Sequence, residues 1–148
     1  MQPPVLLTRH HPLHHGKAAA EPLYYLIHMN HVELGRMGEE RAAEHLSSRG
    51  YLVLDRNYRF MRAEVDIVAA TDREIVFVEV KTRNSTSFGE PEEHVDDRKK
   101  RQLFKVAEAW LHERRMEGSP VRFDVISILR PGRSDEKINH IEGAFWRL

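Results

Sequence analysis

The chain of 148 residues contains no cysteine, has no net charge and lacks any long apolar run. The absence of cysteine excludes disulfides and thiolate metal sites and suits a reducing compartment, so we expect a cytoplasmic protein. Basic and acidic residues number 23 each, so no overall field indicates a nucleic-acid partner. No stretch approaches the roughly 20 apolar residues that cross a bilayer, so we expect no membrane association.

Residues 1–30 differ in composition from the rest of the chain. They hold five histidines and only three residues of fixed charge. Imidazole suits transition metals, but this spacing matches no closed structural site. We therefore interpret 1–30 as a His-rich, disordered extension and 31–148 as a single domain. Met29 directly precedes the first well-patterned segment, so it is a candidate for the true start of the protein.

Hydrophobic periodicity and turn residues predict an α/β domain. We expect helices at 32–49 and 96–116 and strands at 51–60, 63–70, 75–82, 121–129 and 138–146. The small residues Gly35, Gly38 and Ala42 fall near one face of the first helix, which would let it lie close to a sheet. Trp110 completes the apolar stripe of the second helix.

The predicted hairpin at 63–82 carries charged residues where a buried sheet normally carries valine. With its turn centred on 72–73, Asp66 faces Glu79 and Glu64 faces Lys81 on the same side of the sheet. Two carboxylates about 5 Å apart repel by roughly 3 kcal/mol at an effective dielectric near 20. A bound divalent cation is the simplest justification for such a pair.

This arrangement predicts a metal-dependent nuclease. Asp66 and Glu79 would bind Mg²⁺ (or Mn²⁺), with the backbone carbonyl of Val80 as a further ligand. Lys81 would orient the nucleophile, neutralise developing charge or act as a base. Glu64 is positioned to brace Lys81 or to serve as an outer ligand.

A plain structural interpretation competes with this one, because charges on strands usually mark a solvated face. Against it, the predicted acidic face also carries Val68, Ile75 and Phe77. The opposite face of the hairpin is assigned Val65, Ile67, Val76, Val78 and Val80. A sheet that is apolar on both sides needs covering on both sides. If the first helix covers the acidic face, Glu39 or Glu40 could reach the site.

A series of ordered motifs makes the chain recognisable. They are Gly35-Arg-Met-Gly38-Glu39, Arg56-Asn57-Tyr58-Arg59, Glu64-Val-Asp66, Val76-Phe-Val-Glu79-Val-Lys81-Thr-Arg83, Phe88-Gly89, Lys99, Arg122-Phe-Asp-Val125 and His140. Over about residues 31–148 they resemble the YraN-like family of predicted bacterial endonucleases, distant relatives of archaeal Holliday-junction resolvases. The resemblance implies a restriction-endonuclease-like fold, with a central mixed sheet, core order αβββαβ and helices on both faces. It also implies catalytic roles for Glu39, Asp66, Glu79 and Lys81, with Mg²⁺ as the metal.

DNA is the expected substrate, in branched or junction form by resemblance. Basic side chains flank the predicted site or open the second helix and would contact phosphates: Arg59, Arg62, Arg83, Lys99, Lys100 and Arg101. Resolvases that cut symmetric junctions need two sites, so the analogy favours a homodimer. The alternatives are a non-catalytic nucleic-acid-binding module and a recombination or DNA-uptake partner protein that retains the fold.

Overall fold

The computed structural model describes residues 29–86 and 95–146, which form a mixed α/β domain. The His-rich segment 1–28 and the Phe88-Gly89 motif lie outside these ranges. Along the described chain the elements are α1 (His31–Ser48), β1 (Leu52–Phe60), β2 (Ala63–Ala70), β3 (Ile75–Arg83), α2 (Asp97–Glu113), β4 (Val121–Leu129) and β5 (Lys137–Phe145). The predicted elements are therefore found, although α2 ends three residues earlier than predicted.

Both helices begin at side-chain caps. Asn30 accepts hydrogen bonds from the N–H groups of Val32 and Glu33, and Glu33 in turn accepts one from the N–H of Asn30, which makes a capping box. Asp96 caps α2 through the N–H of Lys99. Gly50 follows α1 with a φ of +84°, a conformation that glycine adopts without strain.

In the described chain the sheet has five strands in the order β1-β2-β3-β4-β5. Only β3 and β4 run parallel, and α2 forms the crossover between them. The two helices cover opposite faces, because each packs into its own apolar core. The core under α1 holds Ile67, Val76 and Val78, whereas the core under α2 holds Phe77, Trp110 and other residues. No helix among the described residues has the length and apolar character needed to cross a membrane.

Helix α1 approaches the sheet closely at one glycine. A Cβ atom at Gly38 would lie 1.9 Å from Oγ1 of Thr82 on β3, so only glycine fits this contact. The predicted role of small residues on α1 is confirmed at Gly38 and at the fully buried Ala42. It is wrong for Gly35, where an added Cβ would meet no atom within 4 Å.

The predicted register of the β2–β3 hairpin is confirmed over four pairs, from Ala70–Ile75 to Ile67–Val78. The ladder ends there, one residue before the predicted Asp66–Glu79 pair. Both strands continue beyond this point, but β3 then pairs only with β4, along its whole length. The hairpin therefore opens at the position of the acids.

Candidate active site

The opening of the hairpin coincides with a break in strand alternation. Val65 packs in the core under α2, and Ile67, two residues later, packs in the core under α1. Residues two apart on a regular strand share a face, so assigning Val65 to the face of Ile67 was wrong. On the neighbouring strand Asn57 has a φ of +50°, and it contacts α1 as Arg56 does. The irregularity therefore runs across both strands beside Asp66.

The carboxylate of Asp66 takes the place of the missing ladder bond. Its Oδ2 accepts a hydrogen bond of 2.7 Å from the N–H of Val80. The N–H and C=O groups of an extended residue point to the same edge of its strand. The carbonyl of Val80 therefore faces the same opening between β2 and β3 as the Asp66 carboxylate. This places the three predicted metal ligands, Asp66, Glu79 and Val80, on adjoining stretches of two strands.

Asp66 and Glu79 form an electrostatically strained pair. Burial raises the pKa of Asp66 from its ordinary 3.8 to about 8, and the negative charge of Glu79 adds to the rise. Burial likewise raises the pKa of Glu79, against the opposing effect of Lys99. The titration belongs to the pair rather than to either residue. At neutral pH the pair therefore retains a proton that two exposed carboxylates would have lost.

Lys99 supplies positive charge directly beside the acidic pair. Its Nζ lies 3.2 Å from Oε2 of Glu79, whose side chain is 14% exposed. That oxygen nevertheless accepts no well-aligned hydrogen bond from the described part of the protein. Lys81 also lowers the pKa of Glu79 through its charge. Lys99, which the sequence assigned to a DNA-contacting patch, thus lies beside the acidic pair.

The first helix contributes Glu39 rather than Glu40 to this region. The negative charge of Glu39 raises the pKa of Asp66, and Oε2 of Glu39 accepts a 2.8 Å hydrogen bond from Nδ2 of Asn57. Glu40 instead pairs with Arg56 at 2.9 Å. No three described His, Asp or Glu side chains converge into a metal-holding group. A cation here would be bound by the two carboxylates of the acidic pair, the backbone carbonyl of Val80 and non-protein ligands, a pattern that Mg²⁺ accepts.

The predicted pairing of Glu64 with Lys81 is not part of the β2–β3 ladder, which ends at Ile67–Val78. Glu64 faces β1 instead, where it accepts a 2.9 Å hydrogen bond from Nε of Arg59. Its other carboxylate oxygen lies 3.4 Å from Nδ2 of Asn57, which also binds Glu39. Asn57 therefore links two of the predicted catalytic acids, a role that its sequence position alone did not indicate.

The remaining basic residues predicted to contact DNA are distributed around this site. Arg62 lies in the exposed β1–β2 turn, and Arg83 lies at the exposed end of β3, where it donates to the carbonyl of Thr82. Lys100 lies 3.8 Å from Asp97, and Arg101 is exposed. Each of the three with a described polar contact, Arg59, Arg83 and Lys100, therefore has its own separate partner.

A second polar cluster, which we call the Asp124 cluster, lies under the C-terminal end of α1. Asp124 is fully buried and accepts hydrogen bonds from Nε and Nη2 of Arg122, from Nε2 of His140 at 2.8 Å and from the N–H of Gly143. Arg49 lies 3.1 Å from Nδ1 of His140. Because Arg49 only donates, the neutral tautomer of His140 with hydrogen on Nε2 satisfies both contacts. These donors hold the pKa of Asp124 below its usual range despite its burial.

These features define a mixed α/β protein with a buried acidic pair where two central strands separate. The chain belongs to the uncharacterised protein family UPF0102, whose model matches residues 38–128. A UPF0102 protein of Geotalea daltonii is 44% identical over 112 residues, which cover 76% of this chain and 88% of the relative. One of Trichlorobacter lovleyi is 44% identical over 122 residues, which cover 81% and 95%. The resemblance to the YraN-like group is thereby confirmed.

Proposed function

We propose that this protein is a metal-dependent nuclease that hydrolyses phosphodiester bonds in DNA, on a restriction-endonuclease-like core of order αβββαβ. The observation that carries the proposal is the Asp66–Glu79 pair at the opening between β2 and β3. A buried pair of acids that repel each other costs stability, and natural proteins retain such strain chiefly where chemistry needs it. The carbonyl of Val80, which faces the same opening, completes a set of oxygen donors.

The donor set fits Mg²⁺ or Mn²⁺. Hard cations prefer carboxylate and carbonyl oxygens, and Mg²⁺ needs few protein ligands because it keeps waters and substrate phosphate. Oε2 of Glu79, buried without an aligned hydrogen bond, is an acceptor available to such an ion. When bound, the ion would polarise a phosphoryl oxygen and favour deprotonation of the attacking water.

The chain's own residues have distinct roles in this proposal. Lys81 and Lys99 supply positive charge on two sides of Glu79, so they can neutralise charge that develops on a phosphate. Asp66 is held in place by the N–H of Val80. Glu39 and Glu64, joined through Asn57, keep the mouth of the site acidic and orient Asn57. Arg59, Arg62, Arg83, Lys100 and Arg101 would position the DNA backbone.

Cleavage of a panel of branched and linear DNAs with Mg²⁺ or Mn²⁺ tests the proposal. We expect cleavage by the wild type and a loss of at least about 100-fold with Glu79→Ala, in keeping with the removal of a central electrostatic group. Asp72→Ala is a matched control, because Asp72 is an 86% exposed acid at the tip of the same hairpin. Cleavage that survives Glu79→Ala would contradict the assignment of the site. A symmetric cut across a junction would support the predicted homodimer.

One observation favours a second candidate, a nucleic-acid-binding module without catalysis. The ammonium of Lys99, 3.2 Å from Oε2, balances the charge of Glu79 with a group of the protein itself. In that case the acids would serve structure, and neither Mg²⁺ nor Ca²⁺ would bind in a manner that depends on Asp66. Isothermal titration with Ca²⁺, which binds oxygen ligands in nuclease-like sites without requiring turnover, separates the two candidates. Heat of binding that disappears in Asp66→Asn supports the nuclease.

A further inference from the structure

A groove beside the proposed active site combines Lys100 and Arg101, assigned to the DNA backbone above, with aromatic side chains that have no role in that proposal. It has a volume of about 610 Å³ and lies between one side of α2 and the end of β5. Its basic wall consists of Lys100, Arg101 and Lys105, and its aromatic wall of Phe104, Phe145 and Trp146. We propose that this groove, which we call the aromatic groove, binds a single strand of DNA next to the scissile duplex. This inference rests on the proposed nuclease function and names the class of its substrate.

The exposed indole of Trp146 is the first observation. Trp146 is 64% exposed, although burial of a tryptophan side chain is strongly favourable. The ring is nevertheless held in place, because it packs over Gly143, which has a φ of +59°. A Cβ atom at Gly143 would lie 3.1 Å from Cζ2 of the ring. The other face of a fixed, exposed indole is a platform on which an unpaired base can stack.

Two residues of the aromatic wall, Phe104 and Phe145, are fixed by packing. The ring centroids of Phe104 and Phe145 lie 5.9 Å apart, and Phe145 stacks on Phe123 at 5.2 Å within the core under α2. Lys100 Nζ lies 5.7 Å from the centroid of the Phe145 ring. The groove therefore presents aromatic surface that is already formed and loses little freedom on binding.

The charges of the aromatic groove fit a phosphate backbone. Arg101 and Lys105 are exposed, and neither lies within ion-pair distance of an acid in the described ranges. The acids of the lining, Asp97 and Glu108, occupy its two ends along α2. Cations beside a stacking platform are the usual combination in proteins that bind single strands, whereas a duplex keeps its base faces covered.

The position of the groove ties it to the acidic site. Lys99 contacts Glu79, and its neighbour Lys100 lines the aromatic groove, so a single turn of α2 contributes to both. A strand lying in the groove would leave it close to the acids. The geometry points to a substrate with a duplex–single-strand junction, such as a flap or an opened branch.

Binding of a fluorescein-labelled oligothymidylate of twelve nucleotides to the full chain in EDTA tests this inference without cleavage. We expect Trp146→Ala to weaken binding about tenfold, the usual loss for one stacked base, and Trp146→Phe to retain most of the affinity. Arg101→Gln with Lys105→Gln should weaken binding and lower its salt dependence. Arg73→Gln is the control, because Arg73 is an 87% exposed arginine on the distant hairpin tip.

Intrinsic fluorescence gives a second readout. Trp110 is buried and Trp146 is exposed, so quenching by the oligonucleotide reports on the groove. Unchanged affinity in Trp146→Ala and in the charge variants overturns the inference. So does a shift of these variants from dimer to monomer with no effect on the oligonucleotide, because the groove would then be an interface between copies.

The two proposals fail separately. Loss of oligonucleotide binding in the groove variants, with no metal-dependent cleavage by the wild type, supports the groove and contradicts the nuclease. Cleavage of linear duplex that depends on Glu79, with oligonucleotide binding indifferent to Trp146, supports the nuclease and contradicts the groove.

Discussion

Asp66 and Asp124 are both acids in strands that are otherwise largely apolar, yet their surroundings are opposite. Asp124 receives hydrogen bonds from a guanidinium, an imidazole and a backbone N–H, and its pKa is lowered. Among the described residues Asp66 accepts a backbone hydrogen bond from the N–H of Val80. Burial raises its pKa, and the negative charge of Glu79 adds to the rise. Burial disfavours charge in both places, and the number of donors decides the outcome. Asp124 is therefore held by several donors, whereas Asp66 belongs to the pair at which we propose that a cation binds.

The largest expected effect is the loss of stability when Asp124, which receives several hydrogen bonds, is removed. Asp124→Ala leaves Arg122, whose side chain is only 13% exposed, without its main partner. Removal of one partner from a buried ion pair costs about 3–5 kcal/mol. Urea denaturation at pH 7 should show a loss of this size, with Asp72→Ala as the exposed control. A loss below about 1 kcal/mol would mean that Arg122 finds an equivalent partner in Glu74, which it already contacts at 2.7 Å.

The next largest effect is stabilisation by a bound metal ion, which we expect at Asp66 and not at Asp124. Mg²⁺ or Mn²⁺ at 100 times its dissociation constant should stabilise the wild type by about 2.7 kcal/mol. The gain should be greater at pH 8.5 than at pH 6, because protons compete with the metal for the Asp66–Glu79 pair, whose pKa values are raised. Thermal unfolding with and without the ion measures it. Asp66→Asn should abolish the gain, and a gain that persists in this variant places the ion elsewhere.

Much of the fold follows from local patterns in the sequence. The register of the hairpin follows from its turn, which lies between an apolar run that ends at Ala70 and another that begins at Ile75, so it can be predicted. The ends of α1 follow from Asn30 and Gly50, which have specific capping roles. These features depend on neighbours in the chain, and a single sequence contains that information.

The candidate site is only partly predictable, because its decisive contacts join distant segments. The break of alternation at Asp66 depends on the positive φ of Asn57, nine residues earlier on another strand. Asparagine tolerates this conformation, but nothing local requires it. The ion pair between Lys99 and Glu79 depends on where α2 crosses the sheet. In the sequence, Arg122 and Asp124 look like the hairpin acids, because both sets are charges in an apolar strand. Only the partners seen in the structure distinguish the hydrogen-bonded Asp124 from the strained acidic pair.

A smaller effect tests the opposite pKa shifts of Asp66 and Asp124 directly. Because the pKa of folded Asp66 is raised above its unfolded value near 3.8, Asp66 favours folding least at high pH, and stability is lost as pH rises from about 4 to about 8. The lowered pKa of Asp124 acts oppositely, and its contribution is lost as pH falls below about 4. Asp66→Asn keeps an acceptor for Val80 and should stabilise the metal-free protein at pH 8 by at least about 1 kcal/mol. Equal stability of variant and wild type at pH 8 would show that the acids are not strained.

The smallest effect concerns Lys99, which relieves part of the strain on the acidic pair. Lys99→Met keeps the length of the side chain and removes its charge, so the pKa of Glu79 should rise further. Stability at pH 7 should change by less than about 1 kcal/mol, because the side chain of Lys99 is 31% exposed and water screens the pair. At pH 9, where protons compete less with the metal than at pH 7, metal should bind more tightly, since a competing cation is gone. Lys105→Met, an exposed lysine farther along α2, is the matched control. Weaker metal binding in Lys99→Met at pH 9 would mean that Lys99 orders Glu79 for the ion instead of competing with it.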